Sequence, residues 1–331
     1  MSGSRAVLSV VFAWAATQSP ATPGGPTRVT VSVVTTAGVP IADLRAPDFA
    51  VSVNGRPIAH EVVQDRAPLT IFVLIDNSLS VPLSNRQVRR IVLDGLFRSA
   101  TDTDEAIVTS VTGVDRWVAG LPTRGTTNAQ AMLAQAQLSP TEPSPLWDAL
   151  VRSSAWIRTR GAAPPAVLLL TDGRATGNHC SVNDAVTAMG AVQTSVSVLL
   201  QASATEVQRA GAATVTVHPG PILRQVAEIT GGHYIEGAFT RLRGPVEAAK
   251  VDAEVDRDRD LMRLWAQAVR RRFTLQFTVP ASLIGSPLAV AVRRSGATVH
   301  APHFVPGSGP VPCLPTRPTN PNLQTKELRH E

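Results

Sequence analysis

The chain of 331 residues is poor in cysteine, tyrosine and lysine, and each shortage excludes a class of protein. Its two cysteines, Cys180 and Cys313, cannot form a disulfide framework or a cysteine-built metal cluster, and leave room for a single bridge in an oxidising compartment. Aromatic residues make up 4% of the sequence, with one tyrosine. Single-stranded nucleic acid is held by bases stacking on aromatic side chains along a basic groove. Here the basic residues, nearly all arginine, are scattered and not interleaved with aromatics, so the formal charge of +6 reads as a solvated surface and not as a nucleic-acid site. No apolar run approaches the roughly 20 residues of a membrane-spanning helix. There is no G-x-S-x-G elbow and no glycine-rich phosphate loop, and HEVVQ (60–64) lacks the second histidine of a zinc-protease helix.

What is present is a foldable composition, 44% hydrophobic and 17% charged. Residues 1–18 have the form of an export signal. Arg5 supplies the positive start, AVLSVVFAWAA (6–16) the apolar stretch, and Ala13 and Ala15 an A-x-A cleavage site. The expected mature protein is therefore exported, periplasmic or extracellular, with no stable membrane span.

After a Pro/Gly linker, residues 27–66 form a β segment: TRVTVSVVTT alternates in the strand period, and FAVSVNGRPIAHEVV gives two strands around an Asn-Gly turn. Residues 67–270 change character. Short runs apolar on both faces (TIFVLI, EAIVTSV, AVLLL, TSVSVLL) alternate with helical segments (NRQVRRIVLDGLF, LWDALVRSSAWI, NDAVTAMGAV, PILRQVAEIT), and a long helix is predicted from about Gly244 to Arg270. This pattern is that of a doubly wound α/β layer with a mostly parallel sheet. Strands return in 271–304 (RRFTLQFTV, PLAVAVRR, ATVHAPHF) and are expected to pair with 27–66, because neither block alone has enough strands to be stable. The Pro-rich residues 305–331 read as a disordered tail.

The stretch FVLIDNSLSV (72–81) carries the chemistry. A buried strand ends in Asp76, and Ser78 and Ser80 follow at every second position. AVLLLT (166–171) ends in Asp172 in the same way, and ligands of an open parallel sheet bind at the carboxyl ends of its strands. Carboxylate and hydroxyl oxygens select a hard divalent cation, Mg²⁺ first, with Mn²⁺ or Ca²⁺ also suited, and call for no soft ligand. His179 beside Cys180 has no further partners for a soft metal and reads as an ordinary loop, and His233 after Gly231-Gly232 as part of a turn and strand.

DNSLS (76–80), SPLWDAL (144–150) and TDG (171–173) together resemble the metal-ion-dependent adhesion site of von Willebrand factor type A domains. DEAIVTSV (104–111) and LRQVAEITGGHYIEG (223–237) extend the likeness. The flanks, VSVVTTAGVPIADLRAPDFAVSVNGRPI and RRFTLQFTVP, resemble a bacterial exported subfamily, so the resemblance covers roughly 27–304. It implies a Rossmann-like fold and a cation held by Ser78 and Ser80 through their hydroxyls, by Asp76 and Asp172 directly or through water, and by Ser144 where the family usually has threonine. Leu79 departs from the small residue common in the motif, and Pro143 precedes Ser144 in place of glycines; Thr141 is a fallback ligand. The function implied is a non-catalytic, adhesion-type module whose cation captures an exposed Asp or Glu of a partner protein. The alternatives are a metal-free assembly domain and a Mg²⁺-dependent hydrolase with Asp76 as nucleophile, which lacks an evident proton donor.

Overall fold

The computed structural model describes residues 26–64, 69–98, 104–113, 123–124, 133–134, 143–160, 165–202, 206–210, 213–242, 246–307 and 313. The leader at 1–18, Thr141 and most of the tail lie outside them.

The central layer is a six-stranded sheet. Strands β5 (Thr70–Ile75), β6 (Glu105–Ser110), β8 (Ala166–Thr171), β9 (Val196–Leu200) and β12 (Tyr234–Glu236) run parallel, and the short β7 (Thr123–Arg124) pairs antiparallel at one edge, in the order β12-β9-β8-β5-β6-β7. The apolar runs are continuous because both faces are covered. Ile71, Val73 and Ile75 of β5 pack against a helix entered at α1 (Asn85–Arg89), its π-helical continuation (Arg90–Leu96), and the long α6 (Ala248–Arg270). Phe72 and Leu74, pointing the other way, meet α2 (Leu146–Arg160), α3 (Val182–Ala191) and α4 (Gly220–Thr230). The π segment and α6 cross at Gly95, where a Cβ would lie 2.6 Å from the Arg259 carbonyl oxygen. A short α5 (Ala238–Arg241) precedes α6, and β10 (Glu206–Ala210) with β11 (Ala213–Val217) forms a separate hairpin. This is a doubly wound α/β fold.

The two ends of the chain build a second unit. β1 (Pro26–Thr35) lies between β13 (Phe273–Thr278) and β15 (Ala297–His300), and β4 (Glu61–Gln64) extends the sheet beyond β13. A second, three-stranded sheet pairs β2 (Phe49–Val53) with β14 (Leu288–Val292) and β3 (Arg56–Pro57). Val29, Val31, Val33, Val51, Val53, Leu275 and Phe277 fill the space between the sheets, and Phe49 meets Phe273 edge-on at 5.4 Å. Each such side chain contributes about 1.5–3 kcal/mol when fully buried, and the core exists only when both chain ends contribute. The Asn54-Gly55 turn places both residues at positive φ, as a tight hairpin requires.

Two boundaries differ from the sequence expectation. The long helix begins at Ala248, after residues outside the description. Val305, assigned above to the tail, is 1% exposed and belongs to the sandwich core, while Cys313 is disulfide-bonded to Cys180, so those two residues of the tail are anchored.

The two units meet along β1, β15 and the residues that follow β15. Ser32 Oγ lies 2.8 Å from His233 Nε2, His300 Nδ1 lies 3.2 Å from the Gly232 carbonyl, and the His303 N–H donates to the Ile229 carbonyl. The His233 and His300 rings stack at 3.7 Å. Burial holds His233 down to about 3, and lowers His300 as well.

Candidate cation site at the carboxyl edge of the sheet

Three loops converge at the carboxyl ends of β5 and β8. The first follows β5. The Asp76 N–H is still part of the sheet, donating to the Leu170 carbonyl at 2.8 Å, and its side chain is 1% exposed. Asp76 Oδ1 accepts the Ser78 N–H at 3.1 Å, which folds the chain back so that the Ser78 and Ser80 hydroxyls lie 3.1 Å apart. The same alternation turns Leu79 outward, 75% exposed.

The second loop follows β8. Thr171 donates its hydroxyl to Asp76 Oδ2 at 2.6 Å and accepts the Gly173 N–H, joining the two strand ends through one side chain. Asp172, 5% exposed, accepts the Arg174 N–H, and its other oxygen is 3.7 Å from Arg174 Nε. Gly173 takes a positive φ against Pro219 at the start of α4, where a side chain would collide.

The third loop precedes α2. The Ser144 N–H donates to Thr176 Oγ1 and its carbonyl accepts the Thr176 N–H, so it is bound to the second loop from both sides. Pro143 is accommodated by Gly177, at positive φ, whose missing Cβ would meet the proline ring at 2.5 Å. The proline in place of glycine is thus answered by a glycine on the facing loop. One turn later Asp148, 2% exposed, accepts the backbone N–H groups of His179 at 3.0 Å and Cys180 at 2.8 Å, together with the His179 ring at 3.0 Å. Asn178 Oδ1 in turn caps α2 by accepting the Trp147 N–H at 2.7 Å. The cystine with Cys313 closes this clamp, with Cα atoms 5.6 Å apart.

All five residues singled out in the sequence therefore lie on adjoining loops at one sheet edge. Thr171, Thr176, Asn178 and Asp148 were not assigned roles from sequence. Thr171 and Asp148 stand within the quoted motifs, whereas nothing local to Thr176 or Asn178 marks them.

The electrostatics are unbalanced. Burial raises the Asp76 carboxyl above the ordinary carboxylate range, against the pull of hydrogen bonds from Thr171 and Ser78, and the nearby Asp172 charge raises it further. Among the described residues, the hydrogen-bond partners of Asp76 are neutral. Ser144 Oγ is buried with no hydrogen-bond partner among the described residues, and so is Asn178 Nδ2. A hydroxyl left this way is costly unless a ligand completes it. Among the described residues no group of three or more His, Cys, Asp or Glu side chains gathers to hold a metal; the present donors are two carboxylates and three hydroxyls, which suit a hard cation.

This combination, a doubly wound sheet with DNSLS and TDG at its carboxyl edge, has the architecture of a von Willebrand factor type A-like fold. No family model matches the chain, and no curated protein matches it. Among solved structures it is similar to a von Willebrand factor type A protein from Catenulispora acidiphila, at 13% identity and a TM-score of 0.43, over 81% of this chain and 75% of that one. It is also similar to BatB from Bacteroides thetaiotaomicron (14% identity, TM-score 0.37, 58% of this chain and 98% of that one). An aerotolerance-related membrane protein from Bacteroides fragilis matches at 13% identity and a TM-score of 0.36, over 57% of this chain and 99% of that one. At these scores the matches carry no functional weight, and the fold rests on this chain's own strand order and register.

Proposed function

We propose that the protein is an exported, non-catalytic interaction module that holds a divalent cation with Asp76, Ser78, Ser80, Ser144 and Asp172 and engages an acidic side chain of a protein partner. The observation that carries the reading is the buried Ser144 hydroxyl, without a hydrogen-bond partner among the described residues, on a loop bonded to the one that carries the buried Asp172. When bound, a hard cation supplies neutralising charge and, keeping water in at least one position, an open place for a carboxylate. The chain's own residues do the rest. Thr171 orients Asp76, the Ser78 N–H fixes its other oxygen, and the Thr176 and Asp148 clamp sets the loop bearing Ser144 against the loop bearing Asp172.

Export is supported by the Arg5, 6–16 and A-x-A pattern, and by the Cys180–Cys313 bridge, which persists in oxidising compartments. Among the described residues no helix is long and apolar enough to cross a membrane.

The test is a titration of the Mn²⁺-loaded protein with N-acetyl-aspartate amide and with its asparagine counterpart, followed by water-proton relaxation. Displacement of bound water by the aspartate compound alone is expected. Equal effects of the two compounds, or none, would overturn capture of an acidic side chain.

A further inference from the structure

A cavity of about 570 Å³ lies where the sandwich meets the amino-terminal ends of β8 and β9, the opposite edge of the sheet from the cation site. From the geometry we infer that it is a second binding site, for a single-chain amphiphile with an anionic head. The volume falls within the roughly 300–1,000 Å³ usual for small-molecule pockets, and domain junctions are where such pockets concentrate.

The walls give the ligand its chemistry. Val186, Ile229, Ile284, Phe304 and Val305 line the cavity, and Ile284 and Phe304 remain 50% and 45% exposed, an apolar surface that neither unit covers. The charged lining is of one sign. Arg28 on β1 and Arg272, just before β13, both line the cavity, and no aspartate or glutamate does among the described residues. On β1 the neighbouring Val29 points into the sandwich core, so the two-residue period turns the exposed Arg28 toward the junction, while Arg272, 6% exposed, is already engaged within the protein. A guanidinium is weakly hydrated and presents forked donors, which fits it to an anionic head beside an apolar wall.

Gly190 supplies an independent observation. It stands in the last turn of α3, one residue before its end at Ala191. Its φ is not positive, and a Cβ built on it meets no atom within 4 Å, so neither the backbone nor close packing requires glycine. What its absent side chain leaves open is the cavity. The backbone bond from His303 to Ile229, a lining residue, ties the sandwich to the α/β layer at the cavity.

The experiment is calorimetry of the full chain with decanoate, decanol and decyltrimethylammonium below their micellar concentrations. Decanoate should bind saturably at one site, about tenfold or more tighter than the cationic compound. Arg28→Gln should narrow the gap between decanoate and decanol. Gly190→Trp should lower decanoate affinity about tenfold or more by filling the space; if circular dichroism shows that variant unfolded, Thr187→Trp, from an exposed lining position on the same helix, serves instead. Asp76→Ala should leave decanoate binding unchanged, separating this site from the cation site. Absence of saturable binding, equal affinity for the cation, insensitivity to the blocking tryptophan, or loss on Asp76→Ala would each overturn the inference.

Discussion

Asp148 is the residue whose removal most directly probes how the candidate site is held. Its carboxylate, 2% exposed, gathers two backbone N–H groups from the loop that follows Asp172, at 3.0 Å from His179 and 2.8 Å from Cys180. In Asp148→Ala both donors lose their partner. Hydrogen bonds to a charged acceptor contribute about 1.5–3 kcal/mol each, and an orphaned buried N–H costs about 1–3 kcal/mol. The ring of His179 is 79% exposed, so its contact with Asp148 adds little. The sum is a destabilisation of about 3–6 kcal/mol, or roughly 6–24 °C for a domain of this size. Asp148→Asn, keeping one acceptor oxygen, should fall between the variant and the parent. Urea unfolding in EDTA, followed by circular dichroism, reads the effect without any contribution from bound cation. A loss below about 1 kcal/mol in Asp148→Ala would refute the clamp, since neither backbone donor could then depend on the carboxylate.

Three further outcomes follow from the same contacts. Because burial raises the folded-state pKa of Asp76, its contribution in metal-free protein is fully present below the ordinary value of 3.8 and is lost as pH rises through the raised value. Asp76→Asn in EDTA should therefore be more stable than the parent at neutral pH, with the difference vanishing toward pH 3–4; a deficit of constant size across that range would contradict this. Gly232→Ala should cost about 1–3 kcal/mol by denaturant unfolding, because a Cβ there would fall on the Val196 carbonyl where β12 pairs with β9. Reducing the Cys180–Cys313 bridge, which closes a separation of 133 residues, should lower unfolding stability by about 3–5 kcal/mol, and Cys180→Ser should abolish the response to reductant.

The parallel sheet was legible because β5 and β8 are apolar on both faces, a pattern that leaves few alternatives. The sandwich was legible because β1 and β13 alternate and each needs a partner. That Asp76 and Asp172 stand at adjoining strand ends was legible because each directly follows a buried strand of the one parallel sheet. What escaped was non-local. Thr176 and Asn178 act on residues about thirty positions away, and only the folded loops bring them there. The π-helical turn after α1 packs closely against α6 at Gly95, a contact between segments more than 160 residues apart. The β10–β11 hairpin and the edge strand β7 were likewise not anticipated, since neither is an apolar run of the buried kind.

The central claim, that these loops hold a divalent cation, is tested most directly by calorimetric titration of the mature protein and of Asp76→Ala with Mg²⁺, Mn²⁺ and Ca²⁺. The parent should bind one equivalent. Asp76→Ala should lose that binding while keeping the parent's circular dichroism, because the residue sits at the end of β5 and not within the core. Unchanged Mg²⁺ and Mn²⁺ binding by Asp76→Ala, or no binding by the parent, would contradict the account and leave DNSLS as a turn whose hydroxyls serve only each other.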